Sequence, residues 1–334
     1  MSPGPPAVLG FVHVRSTTVE SPARTATPAL GELDRYRSEL TAYCYRMLGS
    51  PFEAEDAVQD AFVRAWRGID RFEGRAALRS WLYKIATNVC LDQLEAGKRR
   101  PRPMDLGPAQ EPVFENLNVP TEIAWLEPIP DPADVTVEHD TIRLAFVAAL
   151  QHLPARQRAV LILCEVLRWQ ATEVAELLDS SVASVNSALQ RARATLERAD
   201  VQEVDTPDVD RELLERYVAA FEAYDLDALT ALIREDATQS MPPFDMWIAG
   251  RDDIFTWWYG PGIGCKGSRV IPVRNANGSP AFGQYKPNED GTGYVPWALQ
   301  VLETKDGRIA ELTFFLDIER LFPLFGLPLE FRAG

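Results

Sequence analysis

The chain has 334 residues, 46% of them hydrophobic, enough apolar content for two or three separate cores. No apolar run approaches the ~20 residues that cross a bilayer, and Cys44, Cys90, Cys164 and Cys265 lack the paired spacing of a zinc site or a disulfide framework, so no membrane, metal or cofactor is expected and a reducing cytoplasm is the expected compartment. The net charge of −15 is uneven: residues 30–100 and 141–200 are each neutral to within one charge, residues 101–140 hold nine acids and a single arginine, and residues 201–334 hold 22 acids against 12 bases.

Residues 1–29 read as a disordered extension with no basic lead of the kind a signal peptide carries. Helices are predicted over 32–48, 51–68 and 76–97. In the second, Ala54, Ala57, Val58, Ala61, Phe62 and Ala65 form the apolar stripe, leaving Glu55, Asp56, Gln59, Asp60 and Arg67 outward. Ser80 is the predicted cap of the third, which ends in the basic cluster Lys98, Arg99 and Arg100. Residues 101–139, rich in proline and acid, read as an extended linker. Its "AWLEPIPD" has an aromatic and apolar core that a spacer does not need, so this part is expected to dock on something.

From Thr141 helices resume with "LPARQRAVLILCEVLRW" and "ATEVAELLD", then a break at Asp179–Ser181. In the next helix, "SVASVNSALQRARATLER", Val182, Val185, Leu189, Ala192 and Leu196 recur every three or four residues. Two short helices joined by a few residues, the second amphipathic and bearing arginine, have the helix–turn–helix layout. From residue 207 two helices, a strand-like "ATQSMPPF", a further helix and strands joined by "KDGR" follow, an α+β plan. The expected fold class is therefore multidomain: two all-α units followed by an α+β unit.

The stretches "EAEDAVQDAFVRAWRGIDRF", "SWLYKIATNVCLDQL" and "LPARQRAVLILCEVLRWQATEVAELLDSSVASVNSALQRARATL" resemble regions 2 and 4 of the extracytoplasmic-function group of bacterial sigma-70 factors. Residues 207–334, through element order and "MPPFDMWIAGRDDI", resemble a SnoaL-like domain of the NTF2 fold, a cone with a cavity. The resemblance implies region 2 over 30–100, an acidic linker over 101–139, a region 4 helix–turn–helix over 140–200 and the appended cone over 207–334. It implies a factor that binds core RNA polymerase, through the β′ clamp helices and the β flap, and directs it to promoter DNA.

Residue by residue, the resemblance implies polymerase docking by Asp56, Gln59 and Asp60, with Val58, Phe62 and Trp66 behind them. It implies −10 contacts by Phe72, Arg75, Arg79, Trp81, Lys84 and Asn88, with Thr87 on the same helix, and −35 contacts by Ser184, Asn186, Ser187, Gln190, Arg191 and Arg193. Gln190 has the donor and acceptor to take an adenine edge and Arg191 the fork for guanine. Asn186 and Ala188 stand where the family often has cations, so intrinsic DNA affinity is expected to be weak, with a shallow salt dependence. The acidic linker suits the RNA path of polymerase, a channel built for a polyanion.

For the cone, Trp247, Trp257, Trp258, Tyr285, Trp297 and Phe315 are candidates to line a ligand pocket, with Asp245 and Asp317 as ionisable groups. His13, His139 and His152 all precede it, which removes the commonest acid–base residue and makes catalysis unexpected. The expected role of the cone is regulation in cis, with a small-molecule ligand or a separate anti-sigma partner left open. Two rival readings stand beside this one. A ligand-responsive helix–turn–helix regulator acting without polymerase leaves "DAVQDAFVRAW" and "WLYKIATN" unexplained. An NTF2-fold enzyme with a DNA-binding arm requires turnover that depends on Asp245 or Asp317.

Overall fold

Ser50 opens helix α3 (Pro51–Gly68): its hydroxyl accepts from the Glu53 amide, and Pro51 supplies a preset first turn. Helices α1 (Leu30–Asp34) and α2 (Arg37–Leu48) precede it and α4 (Leu78–Ala96) follows in a computed structural model that describes residues 30–69, 72, 77–96, 99–131, 143–198, 211–289 and 292–330. The predicted N-terminal extension and Arg75 lie outside the described residues. The single helix expected over 32–48 is interrupted at residues 35–36. Helix α4 starts ahead of the expected cap, so Ser80 lies within its first turn. The inner faces of α2, α3 and α4 close a core around Leu40, Tyr43, Met47, Val58 and Leu82, all fully buried, each such side chain contributing ~1.5–3 kcal/mol.

The second helical unit comprises α5 (Leu144–Gln151), α6 (Ala155–Leu161), α7 (Ala171–Leu177) and α8 (Val182–Arg198). The helix expected to run through "LPARQRAVLILCEVLRW" stops at Leu161, widens into a π-turn over Ile162–Val166 and ends before Arg168, whose φ is 58°. Asp179, at φ 48°, turns the chain from α7 into α8, a left-handed conformation that a short polar side chain tolerates. Val185 and Ala192 face inward, but Val182 is 40% exposed because it is the first residue of α8, ahead of the turns that pack on α6 and α7.

The third unit begins with α9 (Arg211–Ala223) and α10 (Leu226–Leu232). Six strands, β1 (Ile233–Ser240), β2 (Trp247–Ala249), β3 (Arg269–Pro272), β4 (Ala281–Pro287), β5 (Tyr294–Lys305) and β6 (Arg308–Phe315), form one sheet in the order β2-β1-β6-β5-β4-β3. Strands β1 and β6 pair in parallel and all other neighbours antiparallel. The expected "KDGR" turn joins β5 to β6 with Asp306 and Gly307 both at positive φ. Strand β2 and helix α12 (Ile318–Leu324) are additions to the sequence-based plan: β2 has only three residues, and Pro323 inside α12 obscures a helical pattern.

Inside the cone, Tyr217, Phe221, Trp258 and Leu302 belong to one buried cluster, under α9, α10 and α11 (Arg251–Tyr259). On its outer side, Ala281, Tyr285, Phe315 and Phe322 belong to the same buried cluster as Tyr43 of α2 and Leu150 and Val160 of the second unit. The three units are thus packed on one another through apolar surface.

Candidate nucleic-acid interface

Helix α3 places Asp56 and Gln59 on its exposed face, with Asp60 half-buried and paired to Arg64 at 2.9 Å. Ala57, Val58 and Ala61 are fully buried beneath them, whereas Trp66, expected to back this face, is 59% exposed and Val63 44% exposed. Positions 56, 59, 60, 63 and 66 follow the three–four spacing of one helical stripe. The stripe is therefore polar at its start and apolar at its end. The same spacing, followed past residue 60, is the signal that would have found Val63 and Trp66.

Along α4, Trp81 packs its ring 5.1 Å from that of Phe72 and lines a shallow concavity with Arg64, Gly68, Ile85 and Asn88. Asn88 is exposed. Arg79 does not reach outward as expected: it makes a two-toothed ion pair with Glu39 and lies over the rings of Tyr83 and Trp169. Lys84 donates to Asp179 at 2.7 Å, in the turn of the helix–turn–helix. Thr87 is buried, sharing a hydrogen bond with the Tyr43 hydroxyl at 2.7 Å.

On α8, Ser184, Asn186, Ser187, Gln190 and Arg191 are all exposed, and Arg191 donates to the Ser187 hydroxyl at 2.7 Å. Ser181 caps the helix, its hydroxyl accepting from the Ser184 amide. Arg193 differs: although exposed, it is paired with Glu165 of the π-turn, which withdraws a cation from the surface. With Arg193 neutralised, and Asn186 and Ala188 uncharged, this face carries less positive charge than the helix sequence promises.

The linker is docked, as "AWLEPIPD" suggested, and on two units at once. The Glu127 amide donates to the Gly49 carbonyl, and the Tyr45 hydroxyl to the Glu127 carbonyl at 2.8 Å. Asn277, from the loop before β4, donates in turn to the Tyr45 hydroxyl at 2.8 Å and accepts from the Ile129 amide at 2.9 Å. The Asp131 carboxylate accepts from the Gly278 amide. The Glu127 carboxylate, 2.8 Å from Arg320, is nonetheless held above the usual carboxylate range: burial outweighs Ser50, Arg100 and Arg320, and its Oε2 has no hydrogen-bond partner among the described residues. Gly49, at φ 74°, sits 3.1 Å from Leu126 when given a Cβ, so the junction needs glycine there.

Upstream, the Trp247 indole donates to the Gly107 carbonyl, the Gln110 amide to the Trp247 carbonyl and the Asp245 amide to the Asn118 carbonyl. Trp247 and Asp245 are thereby linker anchors rather than parts of a cavity. The cavity of the cone, about 260 Å³, is lined by Trp257, Trp258, Trp297, Phe221 and Phe314 among others. Tyr285 lies outside it, its hydroxyl donating to the Pro328 carbonyl and its ring 5.3 Å from Phe322 on the outer side of the sheet. Asp317 pairs with Arg320 beside Glu127, and Phe315 faces the outer cluster. Period-two alternation left the facing of these residues open, and burial on both sides of the sheet is the reason. No cluster able to hold a metal ion occurs among the described residues, and no helix among them is long and apolar enough to cross a membrane.

Two helical units, one with a helix–turn–helix, joined by a linker and followed by a SnoaL-like cone, define a multidomain transcription factor. The descriptions Sigma-70 region 2, Sigma-70, region 4 and SnoaL-like domain match residues 33–100, 143–196 and 214–312. The ECF RNA polymerase sigma factor SigG of Mycobacterium tuberculosis is 44% identical over 313 residues, 88% of this chain and 82% of that protein. The chain belongs to the ECF RNA polymerase sigma factors. The ECF RNA polymerase sigma factor SigW of Bacillus subtilis is 32% identical over 167 residues, 50% of this chain and 85% of its own length. The crystal structure of the Mycobacterium tuberculosis extracytoplasmic function sigma factor SigJ covers 90% of this chain and 100% of its own with a TM-score of 0.60 at 23% identity, a likeness of fold.

Proposed function

We propose that this sigma factor, acting in the cytoplasm, is held by its cone and linker in a closed arrangement that polymerase must open before both promoter elements are engaged. The exposed stripe of Asp56, Gln59 and Asp60, continued by Val63 and Trp66, docks on the β′ clamp helices, and the second unit on the β flap. Trp81 and Asn88 meet the −10 strand, joined by Phe72 and, after opening, by Lys84. Ser184, Asn186, Ser187, Gln190 and Arg191 read the −35 element, each good bidentate pair worth ~1–3 kcal/mol of discrimination.

The observation that carries this reading is the relay Asn277–Tyr45–Glu127, which ties cone, region 2 and linker together at buried positions. Elements named −35 and −10 lie about 25 base pairs apart, roughly 85 Å of duplex at 3.4 Å each. With Lys84 of region 2 and Asp179 of region 4 in hydrogen-bond contact, the closed chain does not span that distance. Asn277 has φ 56°, so Asn277→Gly keeps the backbone and removes the side-chain hydrogen bonds to Tyr45 and Ile129. Run-off transcription with purified core polymerase is expected to rise in Asn277→Gly at limiting sigma concentration. Equal transcripts from the two chains at every concentration would refute regulation by this junction.

A further inference from the structure

One wall of the cone's cavity comes from outside the cone. Phe114 and Leu117 of the linker close one side of it, Phe114 meeting the Trp257 ring edge-on at 5.8 Å. The short helical turn Phe114–Asn116 that presents them is fixed on either side by the Gln110–Trp247 and Asp245–Asn118 backbone hydrogen bonds. The rest of the lining is mainly apolar and rich in aromatic rings, with Gln239 and Lys286 as polar groups suited to a ligand. Gln239, 1% exposed, accepts from the Trp258 indole at 2.7 Å, and its amide nitrogen makes no hydrogen bond among the described residues. The Lys286 ammonium lies 3.8 Å from the centre of the Trp297 ring and makes no ion pair among the described residues. Among the described residues no aspartate, glutamate or histidine lines the cavity, so it offers neither carboxylate nor imidazole as a general base.

We propose that this cavity binds a flat aromatic acid of one or two rings, the ring among the tryptophans and the carboxylate on Lys286, and that the bound acid fastens the linker to the cone. The volume of about 260 Å³ lies just below the ~300–1,000 Å³ of drug-sized pockets, too small for a tetracyclic ligand. Burying an anion here needs a cation, which Lys286 supplies, and an electron-rich ring face, which Trp297 offers to that cation. An acid in contact with both Phe114 and the cone binds the docked linker better than the released one, and by linkage favours docking by the same factor. This inference rests on the reading that cone and linker hold the sigma units closed; the acid is then a co-repressor.

The test titrates the full chain with 2-naphthoate, followed by tryptophan fluorescence and calorimetry, with 2-naphthylmethanol as the uncharged analogue. Saturable binding of naphthoate is expected. Lys286→Met, which keeps the side-chain stem over Trp297, weakens it about tenfold or more and leaves naphthylmethanol unchanged. Phe114 is 61% exposed, so Phe114→Ala spares the core yet weakens naphthoate severalfold, and saturating naphthoate slows chymotryptic cleavage after Phe114 in the unsubstituted chain. No binding at millimolar naphthoate, or binding indifferent to Lys286→Met or to Phe114→Ala, overturns the proposal. These readouts involve no transcription, so a failure of the closed-arrangement reading is seen separately, in the run-off comparison of Asn277→Gly.

Discussion

His152 stands where the two helical units meet the linker. Its Nε2 accepts from Arg99 at 2.8 Å and lies 3.3 Å from an Asp105 carboxylate oxygen of the linker. Burial first, and then the Arg99 charge, hold the imidazole below the usual histidine range against the pull of Asp105. As pH falls, the unfolded chain takes up this proton before the folded one does. The stability from neutral His152 is therefore present above the ordinary value of about 6.5 and is lost as pH falls from there toward the lower folded value. His152→Asn cannot protonate, so its melting temperature relative to the unsubstituted chain is expected to rise between about pH 7.5 and about pH 5.5. Differential scanning calorimetry checks this, and a constant offset across that window would contradict it. Arg158 teaches the complementary point about legibility. In "LPARQRAVL" it has the look of a surface arginine, yet it is 3% exposed, and burial pushes its guanidinium down to about 10. The carbonyls of Met47, Gln151 and Leu153 take its charge, at or just past the ends of α2 and α5. Met47 lies more than a hundred residues away in the chain, so no local spacing announces the site.

At the scale of elements, α4 and the helix–turn–helix are fastened by unlike contacts. Trp169, just ahead of α7, packs its ring 5.1 Å from Tyr83 and receives Arg79 at 5.6 Å. The Lys84–Asp179 pair is beside it, with the Asp179 side chain 76% exposed. Exposed ion pairs contribute ~0–1 kcal/mol, while truncating a packed aromatic costs several times that, ~3–5 kcal/mol when it is fully buried. Trp169→Ala is thus expected to speed hydrogen exchange of the α4 amides around Tyr83 by tenfold or more, and Asp179→Ala by no more than a few-fold. Equal effects would mean that the electrostatic contact, not the aromatic one, sets the closed arrangement. Helix α8 was legible from its three–four period because Val185 and Ala192 obey it. Arg79 and Arg193 were not, because an arginine's partner is chosen by tertiary proximity: Glu39 is 40 positions from the first and Glu165 is 28 from the second. In this structure each pairs with one of the protein's own carboxylates.

For the whole molecule, element order and domain character could be read from periodicity and composition, whereas the packing of units on one another could not. The outer side of the sheet carries Tyr285 and Phe315, which in strand alternation look like a second interior face, and Phe322 of α12 packs on Tyr285. What they cover, the helices of regions 2 and 4, belongs to other segments of the chain. The closed arrangement has a direct consequence for distance. Probes placed through non-natural residues at Ser38 in α2 and Glu176 in α7, both exposed, report the separation of regions 2 and 4. The free chain is expected to give one short distance, and addition of core polymerase a population longer by tens of ångström, since the promoter elements lie about 85 Å apart. Asn277→Gly removes one hydrogen bond to Tyr45 and leaves the Ile129 amide without its acceptor, at a cost of about 1–3 kcal/mol to the closed state. Because 1.4 kcal/mol is about tenfold in a two-state equilibrium, that variant is expected to populate the long distance at least severalfold more than the unsubstituted chain before any polymerase is added. A short distance that persists unchanged in the polymerase complex would show that regions 2 and 4 engage the enzyme while packed together, and would remove the need for opening altogether.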